Sequence, residues 1–191
     1  MSTIQDFIAK TNGLSFAFSN LYSVEILNPP NDSENISLLE TVNLLCTSAQ
    51  LPGTTINTTE KALDFRSRGK QRVYDDISLN FYCSEDMKEY IFFNNWLDRI
   101  VNPNNNRVQY HRNYARTIYI NKLGKRPVNI DSSTFLNEDA EADTTFNEVV
   151  HRTILNEAYP KRIEPITLEY SASGSISTMS VTFAYTWHHH L

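Results

Sequence analysis

Glycine is scarce in this 191-residue sequence, with five in the whole chain. A phosphate loop needs glycines spaced so that backbone amides surround the anion, with Lys and then Ser or Thr following; Gly69-Lys70 and Gly124-Lys125 lack the preceding glycine and the following hydroxyl. Both read as turn residues. Cysteine is scarcer still. Cys46 and Cys83 have no CxxC spacing and no neighbouring histidine, which argues against a zinc site or redox pair and predicts two buried thiols. No apolar run approaches the roughly 20 residues that cross a bilayer, and Asp6 interrupts the start MSTIQDFIAKTNG where a signal peptide would need an apolar stretch. The expectation is a protein without a membrane segment, made and kept in the cytosol. Positive charge is the minority sign: 17 Lys and Arg against 22 Asp and Glu give a formal net charge of -5. A chain whose task is gripping nucleic acid needs a basic surface to displace counterions, whereas one that lets nucleic acid pass does not.

What is present is enough for a packed core: 40% hydrophobic and 12% aromatic residues over a length suited to one domain, 1–191. Ile4, Phe7 and Ile8 share a helical face before Gly13, after which the pattern changes to period two. Leu38 to Ala49 is a long β-leaning run that the LPG of Leu51 to Gly53 ends with a turn. Residues 54–76 read as a protruding hairpin in which RSRGK, Arg66 to Lys70, is the turn, making the tip basic. In DISLNFYC, Ile77, Leu79, Phe81 and Cys83 face one way and Ser78, Asn80 and Tyr82 the other, as in a half-buried antiparallel strand. Met179, Val181, Phe183, Tyr185 and Trp187 alternate likewise with Ser180, Thr182, Ala184 and Thr186, and Ile166, Leu168 and Tyr170 alternate with Thr167 and Glu169.

One segment has a different rhythm. Ser84 is placed to cap a helix with Glu85 and Asp86 in its first turn, after which Met87, Tyr90, Phe93, Leu97 and Ile100 follow helical spacing up to Pro103. NPNNN then reads as a loop, Tyr114 to Asn121 as a strand, and 125–150 as an exposed acidic insertion. The resulting fold class is mainly β, an antiparallel sandwich or partial barrel with one packed α-helix.

Residues that carry chemistry do not assemble into a catalytic pattern. Asp75 and Asp76 are adjacent, so in a strand they point to opposite faces and form no acid/base pair. His111 and His151 lack a carboxylate or cysteine at a useful spacing; His188, His189 and His190 could bind a metal or be the remnant of a tag, and a polar strand end beside Trp187 explains them equally well, so no site is assigned to them. Phe92, Phe93 and Trp96 could stack bases, but their helix also carries Leu97 and Ile100, which makes them core. No nucleophile pairs with a base, and no cofactor or metal site is assigned. The reading is non-enzymatic.

Five segments, in order, carry a resemblance: CTSAQLPG (Cys46 to Gly53), YDDISLNFYCSEDM (Tyr74 to Met87), FFNNWLDRIVNP (Phe92 to Pro103), NEAYPKRIEPITLEY (Asn156 to Tyr170) and VTFAYTW (Val181 to Trp187). Together they resemble the tail tube proteins of contractile-tailed bacteriophages, the myoviruses. The resemblance implies a β-sandwich whose six copies close a β-barrel ring, with rings stacked helically inside a sheath. It also implies partners: further copies of the chain, the tail sheath protein, a baseplate tube initiator, a tail terminator, and tape measure protein and DNA passing through the lumen, in a virion tail assembled in the host cytoplasm. The 125–150 stretch is longer and more acidic than the family's usual link, and a baseplate initiator or tail-completion ring is an alternative within the same class. A lipocalin-like carrier is the more distant alternative, which the polar second sheet face opposes.

Two surfaces follow as expectations. Lys61, Arg66, Arg68, Lys70 and Arg72 make the hairpin basic in an acidic chain and are candidates for contact with the neighbouring ring. Thr167, Glu169, Ser180 and Thr182 are candidates for a lumen wall that is neutral or acidic and so repels DNA phosphates.

Overall fold

The computed structural model describes residues 17–27, 36–61, 64–124, 148–169, 174 and 176–191, with backbone alone at 36, 37, 59–61 and 64–67. The amphipathic stretch at Ile4 to Ile8 and the acidic segment from 125 to 147 lie outside the described residues. Strands β1 (Tyr22–Ile26), β2 (Cys46–Ala49), β3 (Thr54–Lys61), β4 (Asp64–Tyr74), β5 (Ile77–Tyr82), β6 (Arg116–Leu123), β7 (Val149–Ile163), β8 (Thr178–Ala184) and β9 (Trp187–His190) are joined by helices α1 (Ile36–Leu44), α2 (Lys88–Ile100) and α3 (His111–Tyr114).

The main sheet is antiparallel, in the order β1-β6-β7-β8-β5-β2, while β3 and β4 pair with each other as a separate hairpin. Strand β7 serves three ladders. Its residues up to Ala158 pair with β6 on one side and, at Thr153 to Asn156, with β9 on the other; from Tyr159 onward it pairs with β8. Between the two halves Glu157 takes φ 55, a left-handed conformation that bends the strand. The bend curls the sheet until its end strands approach, and the Tyr22 hydroxyl donates to the Cys46 carbonyl at 3.3 Å. No ladder joins β1 to β2, so the structure is the partial barrel that the sequence pattern predicts.

The core fills one side of this sheet. Ile77, Leu79 and Phe81 of β5 alternate in register with Met179, Val181 and Phe183 of β8, all buried, as period two predicts. Helix α2 lies on them through aromatic contacts: Phe93 stands 5.1 Å from Phe81 and 6.0 Å from Phe183, and Phe92 5.2 Å from Phe93. Trp96 Nε1 donates to the Tyr114 carbonyl at 2.8 Å, and the buried Arg116 guanidinium covers its ring at 4.3 Å. The three aromatics are core, as expected, and no helix among the described residues is long and apolar enough to cross a membrane.

Several elements differ from their sequence signals. The β-leaning run from Leu38 is helical up to Leu44, and only Cys46–Ala49 is strand. Leu39 and Val42, three apart, are buried on that helix, and Asn43 Oδ1 accepts the Ile26 amide at 2.9 Å, satisfying the edge of β1. RSRGK is not a turn. It lies inside β4, which begins at Asp64 and pairs with β3, ending at Lys61. Gly69 sits opposite Thr58 beside a bulge, where an added Cβ would come within 3.1 Å of Ile56 Cγ2. Helix α2 starts at Lys88, not at Ser84, and the Ser84 amide and hydroxyl both donate to Glu89 Oε2, at 3.0 and 2.8 Å. Its buried face is Glu89, Phe92, Phe93 and Trp96, rotated from the predicted stripe so that Tyr90 is exposed. Residues 164–169 form no strand, and Leu168 is exposed. Trp187 does not continue β8. The chain breaks direction at Thr186, whose amide donates to the Asn156 carbonyl, and β9 then pairs with β7.

Phe93→Ala is expected to destabilise the chain by about 3–5 kcal/mol, since it removes the ring on which α2 rests against β5 and β8. Urea unfolding followed by circular dichroism measures this; a loss below about 1 kcal/mol would show that the helix is held elsewhere.

Candidate functional site

Two surfaces stand apart from the core. The first is the β3–β4 hairpin. Thr54 to Thr58 and Arg68 to Arg72 are exposed, so Arg68, Lys70 and Arg72 present cationic heads along β4 and not at a tip. Lys61 ends β3 and Arg66 lies in β4; their side chains are outside the description. The structure thus brings the basic residues onto one hairpin while moving three of them to its flank.

The second surface is the side of β5 and β8 facing away from the core. Ser78 and Thr182 are paired in register with hydroxyls 3.3 Å apart, Asn80 lies opposite Ser180, and Thr47 Oγ1 donates to the Asn80 carbonyl at 3.2 Å. After β7 ends, Glu164 donates its amide to the Ser180 carbonyl, and the chain then leaves the sheet. A groove of about 920 Å³ opens between this segment and the strands, lined by Thr167, Glu169, Ser180 and Asn80 and also by the apolar Ile166, Leu168 and Ile176. Three of the four lumen candidates therefore share one groove, and Thr182 continues the same sheet face. A strand's two faces differ by one residue of register, so a polar face this regular is fixed as firmly as the core behind it.

Neither histidine outside β9 joins a catalytic constellation. His111 packs edge-on against Tyr114 and Tyr159, with Nδ1 3.9 Å from Glu157 Oε2. His151 stacks on His190 at 5.0 Å, a contact that the sequence spacing does not reveal because the β7–β9 ladder creates it. Among the described residues no group of three His, Cys, Asp or Glu side chains is arranged to hold a metal ion. Asp76 pairs with Lys161 at 2.6 Å. Burial pushes the Tyr185 phenol up to about 12, helped by Asp75, and its hydroxyl is buried without a hydrogen-bond partner. Cys46 and Cys83 are half-buried free thiols, less enclosed than the strand pattern predicts, and burial pushes Cys46 up to about 11.

A surface of this kind, polar and regular on one side of a sheet that curls without closing, is suited to assembly more than to chemistry. A family profile described as phage tail tube protein matches residues 17–191. The chain belongs to the phage tail tube family. It is a structural subunit of a tail tube, and the five sequence segments that carried the resemblance fall within the matched span. No curated protein matches the sequence at a significant level. Among solved structures the tail tube chain is similar to one from the anti-feeding prophage tube-terminating cap, with TM-score 0.58, 12% identity, and 93% of this chain and 92% of that one covered. It is also similar to one from the sheath–tube complex of an extracellular contractile injection system in the extended state, with TM-score 0.56, 10% identity and 96% of each chain covered. A chain of the anti-feeding prophage baseplate gives TM-score 0.56 at 12% identity, over 93% and 97% of the two chains. At these identities the likeness is one of fold.

Cys46 lies at the seam between β1 and β2 and reports on it. With its pKa near 11, the fraction of reactive thiolate at pH 8 is about a hundredfold below that of an unperturbed thiol, so iodoacetamide should label Cys46 correspondingly slowly in the native chain. Labelling at the rate of a free thiol would mean that the seam is open.

Proposed function

We propose that this tail tube protein closes six-membered rings that stack helically within a contractile sheath, leaving a channel through which tape measure protein and DNA pass. The observation that carries this reading is the open, curled sheet: its end strands β1 and β2 each have an edge that no described strand of the single chain pairs, and these edges would be covered when copies close a larger barrel, with the hydroxyl- and amide-bearing face turned to a water-filled channel. The likeness to chains in sheath–tube, baseplate and cap assemblies supports a sheath, a baseplate initiator and a terminator as partners. The setting is a virion tail, assembled in the cytoplasm of the host.

In this reading Thr167, Glu169, Ser180 and Thr182 line the channel. They offer hydroxyls and a carboxylate but no cation, so DNA phosphates find no counterion to displace and slide past. The hairpin cations Lys61, Arg66, Arg68, Lys70 and Arg72 reach acidic groups on the neighbouring ring. Each exposed ion pair contributes about 0–1 kcal/mol, so these pairs set register and rate, while buried apolar and backbone contacts hold the polymer. A second reading, a baseplate or tail-completion ring, is favoured by the likeness to baseplate and cap chains and differs in that its rings do not continue into a tube.

Replacing the five hairpin cations by Ser should raise the critical concentration for polymerisation by roughly tenfold and remove most of its salt dependence. Sedimentation of assembled material across a range of salt concentrations measures both. Unchanged values would rule out the hairpin as an electrostatic contact.

A further inference from the structure

Three imidazoles form a file between the root of the hairpin and the start of β7. His188 and His190 have ring centroids 5.1 Å apart, and His190 stacks on His151 at 5.0 Å with the planes 29° apart. The Thr153 hydroxyl, fully buried, lies 3.3 Å from His151 Nε2 and 3.1 Å from His190 Nδ1. A hydroxyl carries one proton, so it donates to one ring and accepts an N–H from the other, an arrangement complete with both rings neutral. At the far end His188 Nε2 lies 3.3 Å from Thr54 Oγ1, the first residue of β3. The same ring stands edge-on to Tyr74 at 5.0 Å, the last residue of β4, and 5.8 Å from Tyr185. His188 therefore touches both strands of the hairpin at the point where they leave the sheet.

We propose that this file is a pH-sensitive latch: with His188 neutral it fastens the root of the β3–β4 hairpin to β9 and β7, and protonation of His188 releases it. The groups facing His188 make the charged form costly from every side. Its Nδ1 is buried without a partner, so a proton there meets no acceptor. From β4 it faces Arg72 and Tyr74, from the β8–β9 connection Tyr185, within β9 His189 and His190, and beyond them His151 of β7. Asp75 and Asp76, acting on Tyr185, are the acidic groups nearby, and Asp76 is already paired with Lys161. Burial, then His190, Arg72 and His189, holds His188 below the ordinary histidine value. A histidine with a lowered folded pKa contributes its stability fully above its unfolded pKa of about 6.5 and loses it as pH falls through the folded value, so the latch opens on acidification.

The consequence for assembly rests on the hairpin being the contact between rings; the latch itself does not. The test is hydrogen exchange of the full chain below its polymerisation threshold, reported as protection factors at pH 7.5 and 5.5, for the native protein, His188→Gln and His190→Gln. At Thr54–Asn57 and Gln71–Tyr74 the native protein should lose protection by about tenfold at the lower pH while α2 is unchanged, and His188→Gln should lose that pH dependence. His190→Gln, which spares the contact with Thr54, should reduce it. A flat profile in the native protein, or an equal loss in both variants, overturns the latch. If the root loosens as expected but sedimentation shows polymerisation indifferent to pH, the latch stands and the hairpin is not the inter-ring contact.

Discussion

Glu157 holds a left-handed backbone in the middle of the longest strand, and three ladders depend on that bend. A residue with a Cβ resists this conformation by about 1–2 kcal/mol, so the surroundings must hold it there. They do so from the side chain and the neighbouring backbone: Thr186 Oγ1 donates to Glu157 Oε2 at 2.8 Å, and the Thr186 amide donates to the Asn156 carbonyl at 3.1 Å. Thr186 is also where the chain leaves β8 for β9, so one residue's hydrogen bonds fix both the bend of β7 and the route by which the C-terminal strand returns to it. The bend falls where β7 passes from its ladders with β6 and β9 to its ladder with β8, in a sheet whose end strands meet at Tyr22 and Cys46.

The curled sheet divides its two faces between folding and assembly. Inward, β5 and β8 supply Leu79, Phe81, Val181 and Phe183 to the aromatic seat of α2, which accounts for the stability of the single chain. Outward, the alternate residues are polar: the Ser78 and Thr182 hydroxyls meet across the ladder and Asn80 lies opposite Ser180, with Tyr82 exposed at the end of β5. In the proposed tube the inward face is the core of the single chain and the outward face the wall of the channel. The hairpin is a third part, whose root meets the sheet through Thr54, Tyr74 and His188.

The strands most legible in the sequence were those with one wet and one dry face. DISLNFYC and the run from Met179 gave their orientation because each alternate side chain meets a different solvent, although the second run continues the alternation to Trp187 while β8 ends at Ala184. Helix α1 was hidden because Leu44, Leu45 and Cys46 run its apolar residues into β2, masking the spacing of Leu39 and Val42. The glycine in RSRGK suggested a turn, whereas its role is cross-strand packing against Ile56, which only register reveals. Among candidate site residues, the hydroxyls of β8 followed from periodicity, while Thr167 and Glu169 share their groove through a segment that is not the strand its pattern suggests. The histidine file was not legible: His151 and His190 stand far apart in sequence and meet because Thr153 pairs with His190 in the β7–β9 ladder.

The central claim is that the open sheet of one chain is completed by further copies of the same chain. Electron microscopy of the purified protein over a concentration series tests it most directly. The account predicts stacked rings forming tubes with a central channel, longer and more numerous as concentration rises. Protein that stays monomeric at every concentration, and still does so when supplied with baseplate as a nucleus, would contradict it.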